Sequence, residues 1–210
     1  MPFDLSLYLV TDPRLCAARG LVASVEQAVA GGVTLVQLRD PHAKGRDLVD
    51  QARALLAVLR PRGIPLIIND RVDVAVAADA DGVHLGQDDM TPADARAVLG
   101  AGRILGLSVG SPEELAASDL SHVDYVGVGP VEGTRTKSDA GGAIGIAGLS
   151  ALRARISLPL VGIGGLDASL AGPVIRAGAD GIAVVSAICA AADVTAAARH
   201  LREEIAAARA

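Results

Sequence analysis

The chain has 210 residues, a length that suits one domain with a substantial core, and its formal net charge is −5. Hydrophobic residues make up 51% of the chain and aromatic residues only 1%, so the core must be built from Ala, Val, Leu and Ile. The negative charge, the lack of a basic tract and the scarcity of aromatic residues argue against a nucleic-acid-binding surface.

Neither the N-terminus nor the apolar runs predict export or a membrane span. The first residues have no basic region and no long apolar stretch, so no signal peptide is expected. The longest apolar run, near Gly181 to Ala192, is too short for the ~20 residues of a membrane-spanning helix. Cys16 and Cys189 are far apart along the chain and lack metal-ligand spacing, so we expect buried free thiols. We therefore expect a cytoplasmic protein without membrane partners.

Short apolar and β-branched runs alternate along the chain with helical patterns. Strands are predicted at 5–10, 33–38, 65–68, 82–85, 104–107, 125–128, 160–163 and 181–185. Helices are predicted at 22–30, 46–60, 72–78, 146–155 and from about 194. Thr91 and Ser111, each followed by Pro, are typical of a helix N-cap, and Asp167 can cap another helix.

This regular alternation predicts an α/β fold, a single (β/α)₈ TIM barrel over residues 1–210, because no linker or low-complexity segment divides the chain. Weak internal repetition supports the count of units, since residues 78–83 resemble residues 177–182 and a Gly enters the strand in both. An open, doubly wound sheet is the alternative.

In such a barrel the active site lies at the carboxyl ends of the strands, and polar residues collect there in this sequence. They are Gln37, Arg39, Asn69, Asp70, Asp88, Asp89, Ser108, Thr134 to Lys137, Gly164, Gly165 and Ser186. Asp70 and Asp89 follow neighbouring strands, and two such carboxylates suit a hard divalent cation such as Mg²⁺. The alternative is that these acids only cap the helices that follow.

Two features predict phosphate binding. The Gly164-Gly165 and Val185-Ser186 turns follow strands seven and eight, where many barrels bind phosphate through backbone N–H groups. The segment Gly133 to Lys137 adds two hydroxyls, a guanidinium and an ammonium, although a solvated surface loop is the alternative. The histidines are poor candidates, since His84 lies inside a strand and only His42 lies near the mouth. No nucleophile set of the Ser/His/Asp or Cys/His type is present.

The ordered set of motifs resembles the thiamine-phosphate synthase (thiamin phosphate pyrophosphorylase) family. The segments that carry the resemblance run from strand two to strand eight: Val36 to Arg39, Ile68 to Ala75, Asp81 to Asp89, Gly106 to Ser108, Gly129-Pro130, Thr134 to Lys137, Gly162 to Gly165 and Gly181 to Ser186. The resemblance implies a transferase that joins 4-amino-2-methyl-5-pyrimidinylmethyl pyrophosphate to 4-methyl-5-(2-phosphoethyl)thiazole. The products would be thiamine phosphate and pyrophosphate, formed in a Mg²⁺-assisted dissociative substitution.

The resemblance also implies roles for individual residues. Asp70 and Asp89 correspond to the Mg²⁺ carboxylates. The contacts to the pyrimidine pyrophosphate correspond to Gln37, Arg39, Asn69, Ser108 and Lys137. The thiazole-phosphate site corresponds to Thr134, Arg135, Thr136, Gly165, Val185 and Ser186. The partners implied are these small molecules, and the sequence leaves the oligomeric state open, a homo-oligomer included.

One position departs from the family pattern. The family often has Lys two residues after the Arg of its Gln-x-Arg-x-Lys motif, and this chain has Pro41 there, with Lys44 as the nearest substitute. Two rival functions are a metal-independent thiazole tautomerase, which uses a histidine after strand five, and a non-catalytic phosphate-ligand sensor. Here Val109 and Gly110 follow Ser108, which favours the synthase. Whether the 131–142 loop closes on substrate stays open.

Overall fold

The computed structural model describes residues 3–133 and 142–210. Eight parallel strands pair in chain order, and the pairing of the last strand with the first closes the sheet into a barrel. This confirms the predicted (β/α)₈ barrel, and the alternative of an open sheet is wrong. The strands are β1 (Leu7–Val10), β2 (Leu35–Leu38), β3 (Leu66–Asn69), β4 (Gly82–Leu85), β5 (Ile104–Val109), β6 (Tyr125–Val128), β7 (Leu160–Ile163) and β8 (Gly181–Val184).

Helices separate the strands and surround the barrel. In the described ranges they are α1 (Pro13–Cys16), α2 (Leu21–Ala30), α3 (Gly45–Leu59), α4 (Val72–Ala78), α5 (Pro92–Leu99), α6 (Pro112–Ala117), α7 (Gly145–Arg153), α8 (Ala168–Arg176), α9 (Ser186–Cys189) and α10 (Val194–Arg209). The Thr91 and Ser111 side chains accept hydrogen bonds from backbone N–H groups three residues on, at 3.2 and 3.1 Å, which confirms both predicted caps. Within the described residues no helix is long and apolar enough to cross a membrane.

Two apolar cores lie on either side of the strands, because successive side chains of a strand point to opposite faces. The outer core joins strands to helices through small aliphatic residues. The inner core fills the barrel with residues that include Leu35, Ile67 and Val161. The three aromatic residues of the whole chain, Phe3, Tyr8 and Tyr125, all belong to the inner core or pack against it.

A repeated hydrogen bond fastens the amino-terminal end of the barrel. The residue before each even-numbered strand accepts a side-chain hydrogen bond from a backbone N–H at the start of the preceding strand, at 2.8–3.0 Å. The four acceptors are Thr34, Asp81, Asp124 and Asp180, and the donors are Leu7, Leu66, Leu105 and Leu160. Asp81 and Asp180 belong to the two segments that resemble each other in the sequence. The internal repetition therefore reflects a recurring strand connection.

Among the strand ends that differ from the predictions, two lie at candidate site residues. Strand β5 runs on to Val109, so Ser108 lies within the strand rather than after it. Strand β8 ends at Val184, and Ser186 begins the one-turn helix α9. Both differences concern the carboxyl end of the barrel, where strand pairing competes with the turn that follows.

Candidate active site

A chain of hydrogen bonds crosses the barrel interior. The Gln37 amide nitrogen donates to the Tyr8 hydroxyl at 2.7 Å, and the Tyr8 and Tyr125 hydroxyls lie 2.9 Å apart. The Tyr125 hydroxyl lies 2.8 Å from His84 Nδ1, and His84 Nε2 lies 2.9 Å from Ser108 Oγ. We call these five residues the interior network. It joins side chains of β1, β2, β4, β5 and β6 into one connected unit.

The centre of the interior network is sealed from solvent. Tyr8 is 1% exposed and Tyr125 is fully buried, and burial raises the pKa of both phenols above the ordinary value. Both hydroxyls therefore keep their protons and act as neutral hydrogen-bonding groups. Gly106 provides the space, because a Cβ there would lie 2.3 Å from the Tyr125 ring and 2.5 Å from His84 Nδ1.

Asp70 follows β3 directly and adopts a left-handed backbone, with φ of 60°. Its N–H donates to the His84 carbonyl at 2.8 Å, and its carboxylate accepts from the Asn69 amide at 2.6 Å. Such a backbone is uncommon outside glycine, and strained residues of this kind cluster at functional sites. Helix α4 begins after Arg71, so Arg71 rather than Asp70 occupies its N-cap position.

Asp89 lies in the turn after β4 and is exposed. Its carboxylate accepts from the Gly86 N–H at 2.6 Å, while Thr91 caps the next helix. Neither acid occupies the N-cap position of the helix that follows it. The described residues contain no group of three or more His, Cys, Asp or Glu side chains that could hold a metal ion. Mg²⁺ does not require one, because it is usually held by one or two carboxylates with water and substrate phosphate.

The turns after β7 and β8 form the opposite side of the mouth. Gly164 and Gly165 have φ of +94° and +65°, conformations that glycine adopts without strain. A Cβ on Gly165 would lie 2.8 Å from the carbonyl oxygen of Gly133, so the two backbone segments approach closely. Helix α9 starts at Ser186, next to Val185 at the N-cap position. The Glu132 Cβ would lie 2.7 Å from a Cβ added at Gly165, so only glycine fits at position 165 without displacing its neighbours.

Arg39 is held near the first strand by its backbone. Its N–H donates to Thr11 Oγ1 at 3.0 Å, and the residue lines a cavity of about 160 Å³ together with Asp40 and Gln51. Lys44, the proposed substitute for the family lysine, is exposed and precedes α3 as its N-cap residue. Both residues lie beyond the carboxyl end of β2.

Comparison with known proteins assigns the chain to a family. Residues 7–188 match the family model described as thiamine monophosphate synthase. The chain belongs to the thiamine monophosphate synthase family. It is 74% identical over 208 residues to a thiamine-phosphate synthase of Xanthobacter autotrophicus, covering 99% of both chains. It is 70% identical over 201 residues to one from Azorhizobium caulinodans, covering 96% of this chain and 95% of the other.

A solved structure supports the same assignment. The thiamine phosphate pyrophosphorylase from Pyrococcus furiosus superimposes with a TM-score of 0.89 at 36% identity, over 100% of this chain and 99% of that one. The recognition made from the sequence motifs is therefore confirmed. Membership of the thiamine monophosphate synthase family makes the chain an enzyme, a transferase of thiamine biosynthesis.

The structure describes the surroundings of some predicted site residues and not of others. Gln37 and Ser108 are joined through the interior network, and Asn69 is bonded to Asp70. Four other predicted residues lie outside the described residues: Thr134, Arg135, Thr136 and Lys137. The question of closure by the 131–142 loop falls largely on the same segment.

Three members of the interior network were missed by the sequence reasoning. Tyr8 and Tyr125 were not considered, and His84 was set aside because it lies inside a strand. The available signal was side-chain alternation, which places His84 on the same face of β4 as Gly82, toward the barrel axis. Tyr8 and Gln37 could have been assigned to the interior in the same way, once the strand register was known.

Proposed function

We propose that this chain catalyses thiamine phosphate formation from 4-amino-2-methyl-5-pyrimidinylmethyl pyrophosphate and 4-methyl-5-(2-phosphoethyl)thiazole. The observation that carries the proposal is the interior network, because its ends are Gln37 and Ser108. These are two of the residues that family resemblance assigns to the pyrimidine. A fixed network between them would present a defined pattern of donors and acceptors to one substrate ring.

Counting protons gives one consistent direction of donation along the network. Gln37 donates to the Tyr8 oxygen. If each phenol then donates its single proton onward, Tyr8 donates to Tyr125, and Tyr125 donates to His84 Nδ1. A neutral imidazole that accepts at Nδ1 carries its proton on Nε2, which donates to Ser108 Oγ. Both phenols and both ring nitrogens of the network have hydrogen-bond partners in this arrangement.

This direction of donation determines which hydrogen-bond donors and acceptors the network presents to a ligand. The amide oxygen of Gln37 is left as an acceptor, and the hydroxyl proton of Ser108 is left to be donated. An aminopyrimidine carries an N–H donor beside a ring-nitrogen acceptor, which is the complementary pattern. A hydroxypyrimidine would place an acceptor where the amino donor stands and would leave a buried polar group unpaired, a loss of roughly 10⁴-fold in comparable sites. We therefore assign the aminopyrimidine to this end of the site.

The pyrophosphate is assigned to the side of the mouth that contains Arg39, Asn69, Asp70 and Asp89. The two carboxylates with substrate oxygens would hold Mg²⁺, whose contribution when bound is to neutralise charge on the leaving pyrophosphate. Arg39 would add a guanidinium that can bind phosphate oxygens in pairs. Lys137 is assigned here by family resemblance alone.

The thiazole phosphate is assigned to the glycine turn after β7 and the start of α9. Gly165 would allow the phosphate to reach the backbone, and the hydroxyl of Ser186 with the N–H groups near Val185 would bind its oxygens. Thr134, Arg135 and Thr136 complete this assignment by family resemblance. The two substrates would then approach each other across the barrel mouth.

The proposed reaction breaks the bond between the methylene carbon and the pyrophosphate oxygen, and the resulting pyrimidine-methyl cation is captured by the thiazole nitrogen. The new carbon–nitrogen bond gives a thiazolium and requires no proton to be removed. The protein must therefore stabilise charge, align two rings and exclude water, and it needs no strong general base. His84, whose ring nitrogens lie within hydrogen-bond distance of Tyr125 and Ser108, suits this requirement.

The test is direct product formation. Purified protein is mixed with the pyrimidine pyrophosphate, the thiazole phosphate and Mg²⁺, and thiamine phosphate and pyrophosphate are both quantified. We expect the two products in equal amounts, lost with EDTA and restored by excess Mg²⁺. An Asp70→Ala/Asp89→Ala variant should be folded and inactive, with Asp73→Ala as the matched control for removing an exposed acid.

The rival functions predict other results. A tautomerase would isomerise the thiazole phosphate without metal and without the pyrimidine substrate. A sensor would bind phosphate ligands but release no pyrophosphate at any metal concentration. Either result from folded protein would overturn the proposed synthase reaction.

A further inference from the structure

Threonine hydroxyls connect β1 to β2 at both ends of this strand pair. At the amino-terminal end, Thr34 Oγ1 accepts from the Leu7 N–H at 3.0 Å and donates to the Leu7 carbonyl at 3.1 Å. At the carboxyl end, Thr11 Oγ1 accepts from the Arg39 N–H at 3.0 Å and lies 3.5 Å from the Arg39 carbonyl oxygen. The two threonines thus make matching contacts to the backbone of the neighbouring strand, but only the Thr11 contacts involve a candidate site residue.

The Thr11 hydroxyl replaces the next hydrogen bond of the β1–β2 ladder. The Thr11 N–H donates to the Gln37 carbonyl at 2.9 Å, one residue past the end of β1. In a regular parallel ladder the Arg39 N–H would then donate to the Thr11 backbone carbonyl. Here it donates to the Thr11 side chain instead. The ladder therefore ends at a side-chain hydroxyl, and the position of the Arg39 backbone depends on where that hydroxyl lies.

The Thr11 hydroxyl has a well-defined position of its own. Thr11 is 1% exposed, and a β-branched side chain has few rotamers. A backbone N–H that loses its acceptor in the interior must stay unpaired at a cost or move to another acceptor. For the Arg39 N–H, the acceptor nearest in register is the Thr11 carbonyl. Removal of the hydroxyl should therefore shift the chain that follows β2.

Two backbone features determine the direction in which the Arg39 side chain leaves β2. One is the contact with Thr11, and the other is the turn at Asp40, whose carboxylate accepts from the His42 and Ala43 N–H groups at 3.1 Å. Among the described residues the Arg39 guanidinium has no hydrogen-bond or ion-pair partner that would fix it independently. Thr11 and Arg39 also line the cavity of about 160 Å³, so close packing does not hold the chain on that side.

We propose that Thr11 is a positioning residue for the pyrophosphate group of the substrate and that it acts through Arg39. The proposal rests on the proposed function, which assigns Arg39 to the pyrophosphate. A guanidinium binds phosphate oxygens in pairs only when its plane meets them at the correct angle. The Thr11 hydroxyl fixes the backbone from which the guanidinium extends, so less conformational freedom is lost when pyrophosphate binds. Without this hydroxyl, pyrophosphate should bind more weakly, and the thiazole-phosphate side should be unaffected.

The test compares Thr11→Val with Thr34→Val, which remove the same hydroxyl from opposite ends of the same strand pair. Titration calorimetry measures the Kd of inorganic pyrophosphate in the presence of Mg²⁺, so the readout does not require turnover. We expect the Kd to rise about tenfold in Thr11→Val, the equivalent of one hydrogen bond, and to stay unchanged in Thr34→Val. Thr11→Ser keeps a hydroxyl and should restore most of the affinity. Equal Kd values in Thr11→Val and Thr34→Val would overturn the proposal.

A double-mutant cycle tests whether Thr11 acts through Arg39. In the Arg39→Ala background, Thr11→Val should change the pyrophosphate Kd no further, because the group that it positions is absent. A general loosening of the barrel would instead weaken binding equally in both backgrounds, and this result would overturn the proposal. Thr11→Ala removes the same hydroxyl and takes the place of Thr11→Val in both comparisons if the valine variant does not fold.

Kinetics separate this proposal from the proposed function. In Thr11→Val the KM for the pyrimidine pyrophosphate should rise and that for the thiazole phosphate should not, and an equal rise in both would overturn the positioning role. If the unmodified protein binds pyrophosphate but forms no thiamine phosphate, the proposed function alone is wrong, because the Kd comparison still tests Thr11. If the unmodified protein binds no pyrophosphate, the assignment of Arg39 is wrong and this proposal is overturned with it.

Discussion

The hydroxyls of Tyr8 and Tyr125 lie 2.9 Å apart although 117 residues separate them in the sequence. They come from β1 and β6, two strands that do not pair with each other. Their contact is therefore made across the barrel interior rather than along the sheet. Through it, the Gln37 and Ser108 ends of the interior network are mechanically connected.

Replacement of Tyr125 by Phe should weaken both stability and substrate recognition. The change removes the hydrogen bonds that Tyr125 makes with the Tyr8 hydroxyl and His84 Nδ1, which costs about 1–3 kcal/mol of unfolding free energy. Loss of orientation at Gln37 and Ser108 should raise the KM for the pyrimidine pyrophosphate about tenfold, the equivalent of one hydrogen bond. Urea denaturation and steady-state kinetics measure the two effects.

The control for Tyr125→Phe is Phe3→Leu. The Phe3 ring contacts the Tyr125 ring edge-on, with centroids 5.9 Å apart. Its loss should reduce stability while leaving the KM for the pyrimidine pyrophosphate unchanged. If Tyr125→Phe also lowers stability alone, the interior network has only a structural role.

Substitutions of Asp70 should separate the effect of this residue on stability from its effect on activity. Glycine adopts the observed φ of 60° freely, whereas alanine pays about 1 kcal/mol for a left-handed backbone. Asp70→Gly should therefore be about 1 kcal/mol more stable than Asp70→Ala in urea denaturation. Both variants should lose turnover about 100-fold and need more Mg²⁺ for half-maximal rate. Full activity in Asp70→Gly would exclude a metal-binding role for this carboxylate.

The repeated hydrogen bonds at the amino-terminal end of the barrel should contribute to stability without affecting catalysis. Asp81→Ala leaves the Leu66 N–H without its side-chain acceptor and should cost about 1–3 kcal/mol. The carboxylate of the nearby Asp79 is exposed and pairs with Arg60 and Arg103, so Asp79→Asn should cost less than Asp81→Ala. Denaturation midpoints test the difference, and kcat should be unchanged in both variants. A kcat deficit in Asp81→Ala would show that the two ends of the barrel are coupled.

Gly165→Ala should impair the thiazole-phosphate side of the site. The backbone there has φ of +65°, and the added Cβ would lie 2.8 Å from the Gly133 carbonyl oxygen. Gly63 has the same φ with nothing within 4 Å of its Cβ position, so Gly63→Ala isolates the cost of the backbone alone. That cost is about 1 kcal/mol in each protein. The KM for thiazole phosphate should rise at least about tenfold in Gly165→Ala only, and equal KM values in the two variants would contradict the assignment.

Lys44 can be tested as the substitute for the family lysine, whose position is occupied by Pro41. If its ammonium replaces the missing family lysine, Lys44→Ala should raise the KM for the pyrimidine pyrophosphate while leaving that for the thiazole phosphate unchanged. An exposed ammonium that binds a phosphate should contribute about 1 kcal/mol of binding free energy, which corresponds to a change in KM of about fivefold. The effect should shrink at high salt. An unchanged KM at low salt would show that Lys44 does not reach the substrate.

Sequence patterns predicted the bounds of an element correctly where the interactions that form the element are local. Strand β4, strand β6 and helix α4 were placed at the bounds that the structure shows, because apolar runs and turn residues act within a few positions. The Thr91 and Ser111 caps depend on a hydrogen bond to a residue three positions away. The extension of β5 to Val109 depends on its pairing with β6, a partner that local patterns do not identify.

The role of His84 was missed for the same reason, because local patterns do not identify partners on other strands. Within its own strand it is one polar residue among apolar neighbours, and nothing nearby in the sequence assigns it a partner. Its ring nitrogens contact Tyr125 and Ser108, which lie on two other strands.

By itself, the sequence determined the eight-fold alternation, the family and the end of the barrel that carries the polar residues. These follow from side-chain periodicity and from motifs in which neighbouring residues act together. Only the tertiary structure decided that Gln37 and Ser108 are joined through Tyr8, Tyr125 and His84. Barrel closure and strand register determine which inward side chains meet, and both are set by packing over the whole chain.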